Sequence, residues 1–318
     1  MIKIILIIIS LFFFIPKVFA VNLYEALNQA YKNNPELNAE RENIKISKEE
    51  LKISKSKYLP SITILGSKSQ ENTKKLTNSA GLDQSVNDVD PFTQSITIEQ
   101  TLIDFGRSAD FQKNKIGINL ADVKLLKKEQ DILLKAIEAF TGLILANEKF
   151  DINKSNLDLL ERQVETDRAR LERGQITLAD LAQSEASLAG AEAKFIKSKN
   201  EIATSKLNYE NIIGPISQPE LLKKDYTIDL KLPENLNKAI KISKKNNPDL
   251  LIAKFEFQKS EKDVLIARSN LSPSATLSFE NSKTDDFSST YDEKDKNTLK
   301  ATVKWPIYSG GKNKASLN

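Results

Sequence analysis

The stretch that decides the fold is KNNPEL, at Lys32–Leu37, because it returns almost unchanged as KNNPDL at Lys245–Leu250. Six residues can match by chance, so the surrounding sequence must decide whether the repeat is real. A shift of 213 positions also aligns Pro60 with Pro273, so that YLPSITILGS faces LSPSATLSFE. After a gap of eight residues, QTLIDFGR, which ends at Arg107, faces WPIYSGGK. The shared order and spacing predict an internal duplication.

Each copy is predicted to open as a helix, two strands and a glycine-marked turn. The first repeat, 21–214, adds a long helix and a return helix after its strand pair at 61–103. The second repeat, 236–318, follows a linker at 215–235 and contains only the helix and the strand pair at 274–307. In both hexapeptides the proline can restart a helix at its first turn, while the residue before it is biased away from the helical region.

The hydrophobic period changes at the proline that follows the opening helix. Leu37, Ile44, Leu51 and Tyr58 lie seven residues apart, which is typical of one helical face. After Pro60, apolar and polar residues alternate with a period of two, which indicates a strand. The second copy repeats this change.

The two strand pairs have one apolar face and one face of Ser, Thr, Lys and Glu, with polar loops at 67–94 and 281–297. Such pairs can be half-buried in a soluble sheet or face lipid. Isolated hairpins are marginal in water, and an open strand edge in lipid leaves backbone groups unpaired. Four strands cannot enclose a lumen, so transmembrane strands would need several chains to share one barrel. The positions predicted to face lipid are Leu277, Phe279, Val303 and Trp305, the last near an interface.

A long helical hairpin is predicted between the two strand pairs. Residues 107–173 lack proline and can form one helix of about 100 Å. Its apolar residues Leu157, Leu160, Val164 and Leu171 are spaced as in a coiled-coil seam. A return helix is predicted over 178–213. One of its faces is rich in small residues that would let a neighbouring helix approach closely: Ala182, Ala186, Ala189 and Ala193.

The first twenty residues are predicted to be a cleaved signal peptide. A lysine precedes twelve mostly apolar residues, and Val18-Phe19-Ala20 is a small-x-small cleavage signal. The alternative is a membrane anchor, but this apolar stretch is shorter than the ~20 residues that span a bilayer. The mature chain would therefore begin at Val21 and function outside the cytoplasm.

Composition excludes much of enzyme chemistry. The chain has no histidine and no cysteine, which removes Ser-His-Asp catalysis, histidine-ligated zinc and disulfides. Its 47 basic and 43 acidic residues are mixed, and the net charge of +4 does not favour nucleic acid as a partner. Carboxylates alone can still catalyse reactions, but nothing in the sequence resembles a pocket of convergent carboxylates, so we expect no enzyme, no cofactor and no metal site.

The segment RLERGQITLADLAQSEASLAGAEAKFIKSKNEIATSKLNYENIIG, Arg170–Gly214, resembles the TolC family of outer-membrane efflux and type I secretion proteins. Supporting matches are NNPEL, YLPS before a strand, and DFGR or SGGK after one. No single motif is strong, but together they cover essentially the whole mature chain.

The resemblance implies a mainly helical fold with a small β part. It implies a homotrimer in which four strands per subunit build a 12-stranded barrel in the outer membrane, continued by a helical tunnel through the periplasm. The implied function is passive exit of substrates for a tripartite efflux pump or a type I secretion system. The implied partners are a periplasmic adaptor (membrane fusion) protein, an inner-membrane pump or ABC transporter, and outer-membrane lipid.

The resemblance also assigns roles to the turn of the long hairpin. It implies that an adaptor docks at the periplasmic tip and that Asp180 helps to hold the tunnel closed. Asp180 can equally be an acid favoured by the dipole of the helix that it begins. Gly174 is in any case expected to cap a helix C-terminus. The implied docking residues are Arg173, Gly174, Gln175, Ile176 and Thr177.

The chain departs from the family pattern in its second copy. After the strand pair, residues 107–214 follow in the first copy, but only 312–318 follow in the second. The sequence therefore predicts a C-terminally truncated member that lacks the second long hairpin. We expect this chain alone to form no sealed conduit. The alternative function is a periplasmic long-helix adaptor or scaffold, which should carry compact β-domains around one hairpin. The pattern does not distinguish drug efflux from protein secretion.

Overall fold

The computed structural model describes residues 22–83, 88–222, 224, 232–288 and 291–318. The predicted signal peptide lies outside the described residues. The chain forms two compact units, one containing the described residues up to Arg41 with Leu125–Lys241, the other containing Glu42–Lys124 and Ile242–Asn318. Each unit takes segments from both predicted repeats, so the assignment of repeats stays a prediction.

The hexapeptide motifs begin helices, as predicted. Asn34 is buried, and its side-chain oxygen accepts hydrogen bonds from the backbone N–H groups of Glu36 and Leu37, at 3.0 and 3.2 Å. Asn247 caps the second copy in the same way. The described helices are α1 (Leu23–Asn33), α2 (Pro35–Ser56), α3 (Arg107–Glu172), α4 (Leu178–Ile212), α5 (Leu236–Asn246), α6 (Pro248–Ser269) and α7 (Lys312–Leu317), with a 3₁₀ turn at Pro219–Leu221.

Four antiparallel strands form one sheet in the order β1-β2-β3-β4. The two hairpins predicted from the sequence are present, and β2 pairs with β3, which joins the hairpin of one copy to that of the other. The strands extend further into the predicted loops than expected, because polar residues continue the hydrogen-bonded ladder. The strands are β1 (Ser61–Lys68), β2 (Phe92–Ile103), β3 (Ser274–Asp285) and β4 (Glu293–Lys304).

The first unit has a hydrophobic core in which α1 packs on α3 and α4. Phe140, Leu143 and Tyr209 are almost fully buried there, together with Leu37 from the first hexapeptide. Burial raises the pKa of Tyr209 to about 12, because apolar surroundings disfavour the charged phenolate. Burial of several large apolar side chains is the main stabilisation of this unit.

In the second unit, polar contacts fix the place where the sheet meets the helices. The carboxylate of Asp110 on α3 accepts a hydrogen bond from the hydroxyl of Ser54, in the last turn of α2, at 2.6 Å. It accepts a second from the ammonium of Lys57, which directly follows α2, at 2.8 Å. Gly106 leaves no room for a side chain, since a Cβ there would lie 2.3 Å from the Ser269 hydroxyl oxygen. Arg107 donates to the carbonyl of Thr101 at 2.8 Å. The end of β2 and the start of α3 are therefore held tightly together.

Candidate functional site

The first candidate surface is the sheet, whose two faces differ in chemistry. Directly paired residues share a face, so the register places Ile62, Ile98, Phe279 and Leu299 in one apolar row across all four strands. The next residue along each strand belongs to the opposite face. That face is polar except for Leu65, and it carries Ser61, Glu99, Ser278 and Lys300 in one row and Thr63, Thr97, Glu280 and Thr298 in the next.

Three of the positions predicted to face lipid lie on the apolar face. Leu277 pairs with Ala301, Phe279 pairs with Leu299, and Val303 pairs with Ala275. A register shift near the end of β2 sets Ile103 against Ala275, which keeps an apolar side chain on this face.

Trp305 lies one residue beyond β4, at the end of the sheet nearest the helices. Its indole N–H donates to the carbonyl of Leu271 at 3.1 Å, while most of the ring is exposed. An exposed aromatic ring with a satisfied polar atom suits a boundary between apolar and wet surroundings. Contact with lipid at all four positions stays a prediction.

The apolar face and the sheet edges are uncovered within the described residues. β1 is exposed along its whole length, and β4 at nearly every position. Each of these edge strands pairs on one side only. An uncovered apolar face of this extent marks a surface that contacts another molecule, and unpaired strand edges are templates for further strands.

The second candidate surface is the turn between α3 and α4. Gly174 has φ +68° and occupies the left-handed conformation that ends a helix. Its N–H donates to the carbonyl of Leu171 at 2.8 Å, and the N–H of Gln175 donates to that of Arg170 at 2.9 Å. These two bonds form a Schellman motif, so the helix-capping role predicted for Gly174 is confirmed.

Asp180 closes the other side of this turn. Its carboxylate accepts hydrogen bonds from the backbone N–H and the hydroxyl of Thr177, at 2.9 and 2.8 Å, and its own N–H donates to that hydroxyl. The two donations to the carboxylate lower the pKa of Asp180. This capping box supports the interpretation of Asp180 as a first-turn acid. A role in tunnel closure stays a prediction.

The alanine-rich face predicted for α4 is exposed, and close approach of a neighbouring helix to it stays a prediction. Ala182, Ala186, Ala189 and Ala193 are all exposed and do not pack on α3. The buried face of α4 lies one position away. Its buried residues are Leu181, Ser184, Ala191, Ser198 and Tyr209. The serines hid this face, because they do not count as apolar when the sequence is searched for a hydrophobic period.

The four exposed alanines form a strip of small residues along α4, which we call the alanine strip. Near its middle it borders an open groove of about 660 Å³, lined by Ala193 and Ile196 of α4 and by Gly142 and Leu145 of α3. Small side chains permit close approach of another helix, so this strip is available to a neighbouring molecule.

The seam of α6 is also uncovered within the described residues. Leu250, Phe257 and Val264 recur every seven residues and are all exposed. Leu250 is 49% exposed, whereas Leu37, its counterpart in the first copy, is fully buried. The first copy thus shows the kind of contact that this seam can make, with a packed helical hairpin.

Within the described ranges, no group of three or more acidic side chains is placed to bind a metal ion. Every helix in the described part of the chain is too short or too polar to serve as a membrane span.

Comparison with known proteins points to one family for this chain. The model of the outer membrane efflux protein family matches residues 26–215. Outer membrane efflux protein BepC of Brucella suis is 27% identical over 299 residues, covering 92% of this chain and 62% of that protein. Proteases secretion protein PrtF of Dickeya chrysanthemi is 24% identical, covering 94% and 66%. The chain thus spans a little under two thirds of the length of these relatives.

Solved structures share the fold. The outer membrane channel CmeC of Campylobacter jejuni superposes with a TM-score of 0.73 at 14% identity, covering 93% of this chain and 63% of that chain. The outer membrane protein VceC of Vibrio cholerae gives 0.67 at 16% identity, covering 93% and 71%. At this level of identity the likeness concerns the fold alone.

Proposed function

This chain belongs to the outer membrane efflux protein family, and we propose that it is a subunit of a passive exit duct in the outer membrane that extends into the periplasm. Membership confirms the resemblance stated from the sequence. The observation that carries the proposal is the two-faced sheet, with one apolar and one polar face, which no helix covers in the described part of the chain. Lipid suits the apolar face and an aqueous lumen suits the polar face.

The proposed duct is a homotrimer. A four-stranded sheet with open edges cannot enclose a lumen, whereas three copies joined edge to edge would supply twelve strands. The exposed alanine strip on α4 supports close packing of helices between copies. Substrates would pass through the proposed duct without chemical change, in keeping with a chain that has neither histidine nor cysteine.

The proposed partners follow from the same assignment. A periplasmic adaptor would dock at the turn 173–177, and an inner-membrane pump or ABC transporter would supply the energy. Among the relatives, BepC is named as an efflux protein and PrtF as a protease secretion protein, so both kinds of cargo remain within the proposal.

The lipid contact can be tested with two lysine substitutions on adjacent residues. Val303→Lys places a charge on the apolar face, where a lysine costs about 2–4 kcal/mol at the bilayer midplane and less toward an interface. Thr302→Lys is the matched control, because its face already carries Lys300 and Lys304. We expect Val303→Lys to abolish heat-resistant membrane assembly and Thr302→Lys to preserve it, with equal helix content by circular dichroism. Equal assembly of both variants would contradict the proposal.

The orientation can be tested by cross-linking in whole cells. A photo-cross-linker at Gln175, in the turn between α3 and α4, should capture an adaptor protein. The control position is Lys68, where β1 ends and the first long strand loop begins. Capture from Lys68 but not from Gln175 would show that the proposed orientation is reversed.

A further inference from the structure

A polar pair interrupts the contact between α3 and α4 close to their turn. The hydroxyl of Ser184 donates to the carboxylate of Asp167 at 2.7 Å. Ser184 is 7% exposed, and the Asp167 side chain is 14% exposed. Both side chains lie in the seam between the helices, in line with the buried residues Val164 and Leu181.

Filling these two seam positions with a polar pair is energetically less favourable than filling them with apolar residues. Burial of a carboxylate costs desolvation, and well-packed apolar residues in place of buried polar groups often stabilise a protein. Arg170 is the nearest cation, 3.6 Å from the Asp167 carboxylate, and its side chain is about half exposed. The pair therefore needs an explanation other than stability.

Register is the property that such a pair can specify, since a single polar layer in an apolar seam disfavours every alignment that leaves it unpaired. The seam of α4 repeats every seven residues through Ser184, Ala191 and Ser198, so a slip of seven residues keeps small side chains in the seam. That slip would set Asp167 against Ala191, where the largely buried carboxylate would lose its donor.

We propose that the Asp167–Ser184 pair fixes the register of α3 against α4 and thereby decides which residues form the turn. With the pair intact, the turn falls at Gly174 and Gln175. A slip that opposes Asp167 to Ala191 would move the turn toward Asp180. The register itself is independent of the proposed function; only the consequence that a partner meets residues 173–177 rests on it.

Nearby contacts are weaker determinants of register. The Schellman motif and the capping box order the turn locally, but they do not contact the helix seam beyond the turn, where the alignment of α3 and α4 is set. Arg168 and Glu185 form an ion pair at 2.8 Å beside the buried pair, and both side chains are largely exposed. Exposed ion pairs contribute little and are screened by salt.

The absence of cysteine makes the test direct, because introduced thiols would be the only ones in the chain. Cysteines at Lys149 and Glu201 report the observed register, since these side chains form an ion pair at 3.7 Å. Cysteines at Lys149 and Asn208 report the register slipped by seven residues. Each pair is introduced into the full chain with the native Asp167 and Ser184, with Asp167→Leu plus Ser184→Leu, and with Asp167→Asn, which keeps an acceptor for the serine.

We expect the native background and Asp167→Asn to form the 149–201 disulfide at least tenfold more than the 149–208 disulfide. In the double leucine background the melting temperature should stay equal or rise, while the 149–208 disulfide increases to a comparable yield. A double leucine variant that melts no lower and still forms only the 149–201 disulfide would overturn the proposal.

Ser184→Ala provides a second variant if the double leucine chain does not fold. It should increase the 149–208 disulfide severalfold, and Ser184→Thr should restore the native ratio. An unchanged ratio in a folded Ser184→Ala chain would also overturn the proposal. The assay needs neither membrane nor partner, so its result is separate from that of the lipid and adaptor experiments.

Discussion

At the scale of single residues, side chains that cap backbone groups decide where the helices of this chain begin. Asn34 and Asn247 explain why one hexapeptide occurs twice, because each accepts two N–H groups of the helix that follows it. Asn34 also donates to the carbonyl of Ile212 at 3.0 Å, which ties the start of α2 to the end of α4. The motif therefore serves both local structure and packing in the first copy.

We expect Asp110 to make the second unit sensitive to acid. Burial raises the pKa of this carboxyl, but the bonds from Lys57 and Ser54 and the charge of Lys113 outweigh burial and lower it below its ordinary value of 3.8. A lowered folded-state pKa means that the stabilisation is complete above the unfolded-state pKa. It is lost as the pH falls through the lower folded-state pKa.

We therefore expect Asp110→Asn to lower the free energy of unfolding at pH 7 by about 1.5–3 kcal/mol, the range for hydrogen bonds to a charged group. The difference from the native chain should shrink as the pH falls below 3.8. Urea unfolding between pH 7 and pH 2.5 measures both quantities. A difference that is the same at all pH values would show that the Asp110 charge does not matter.

Some residue roles could be predicted from the sequence and others could not. Gly174 follows a long helical pattern, and Thr177 stands three residues before the acid Asp180. Both caps of the turn can therefore be predicted from the sequence. The roles of Ser184 and Asp167 cannot, because a serine and an aspartate resemble solvent-exposed residues until the rotation of both helices is known.

At the scale of elements, the sheet shows where sequence patterns stop being informative. Apolar alternation predicted the paired strands correctly around Leu277 and Phe279. It ended too early, since Asn281, Ser282 and Lys283 continue β3 with polar side chains on both faces. Backbone hydrogen bonds to β2 and β4 keep these residues in the strand. A pattern of side chains cannot predict such bonds.

The turn between α3 and α4 should depend on the left-handed backbone of Gly174. Gly174→Val forces a β-branched residue to φ +68° and should cost on the order of 1–2 kcal/mol locally. Gly190→Ala is the control, because a Cβ there meets no atom within 4 Å and alanine favours a helix interior. Amide hydrogen exchange should speed up around the turn in Gly174→Val and not in Gly190→Ala. Equal exchange in both variants would argue against a strained cap.

At the scale of the whole molecule, several apolar surfaces of the described chain have no internal partner. They are the apolar face of the sheet, the alanine strip of α4 and the seam of α6 that includes Leu250 and Phe257. The respective partners that we propose for them are lipid, a second copy and a helical hairpin. Leu37, the predicted counterpart of Leu250, is an example of the third case, since it is buried against the hairpin of α3 and α4.

The central claim is that the apolar face of the sheet contacts lipid. The environment of successive residues on β4 tests this claim most directly. A cysteine is placed in turn at Thr298, Leu299, Lys300, Ala301, Thr302 and Val303 of the otherwise cysteine-free chain and labelled with an environment-sensitive fluorophore. The labelled chains are assembled in vesicles that contain brominated lipid. We predict quenching that alternates, strong at 299, 301 and 303 and weak at 298, 300 and 302, because only the former lie on the apolar face. Uniform quenching, or stronger quenching at the even positions, would contradict a lipid-facing sheet.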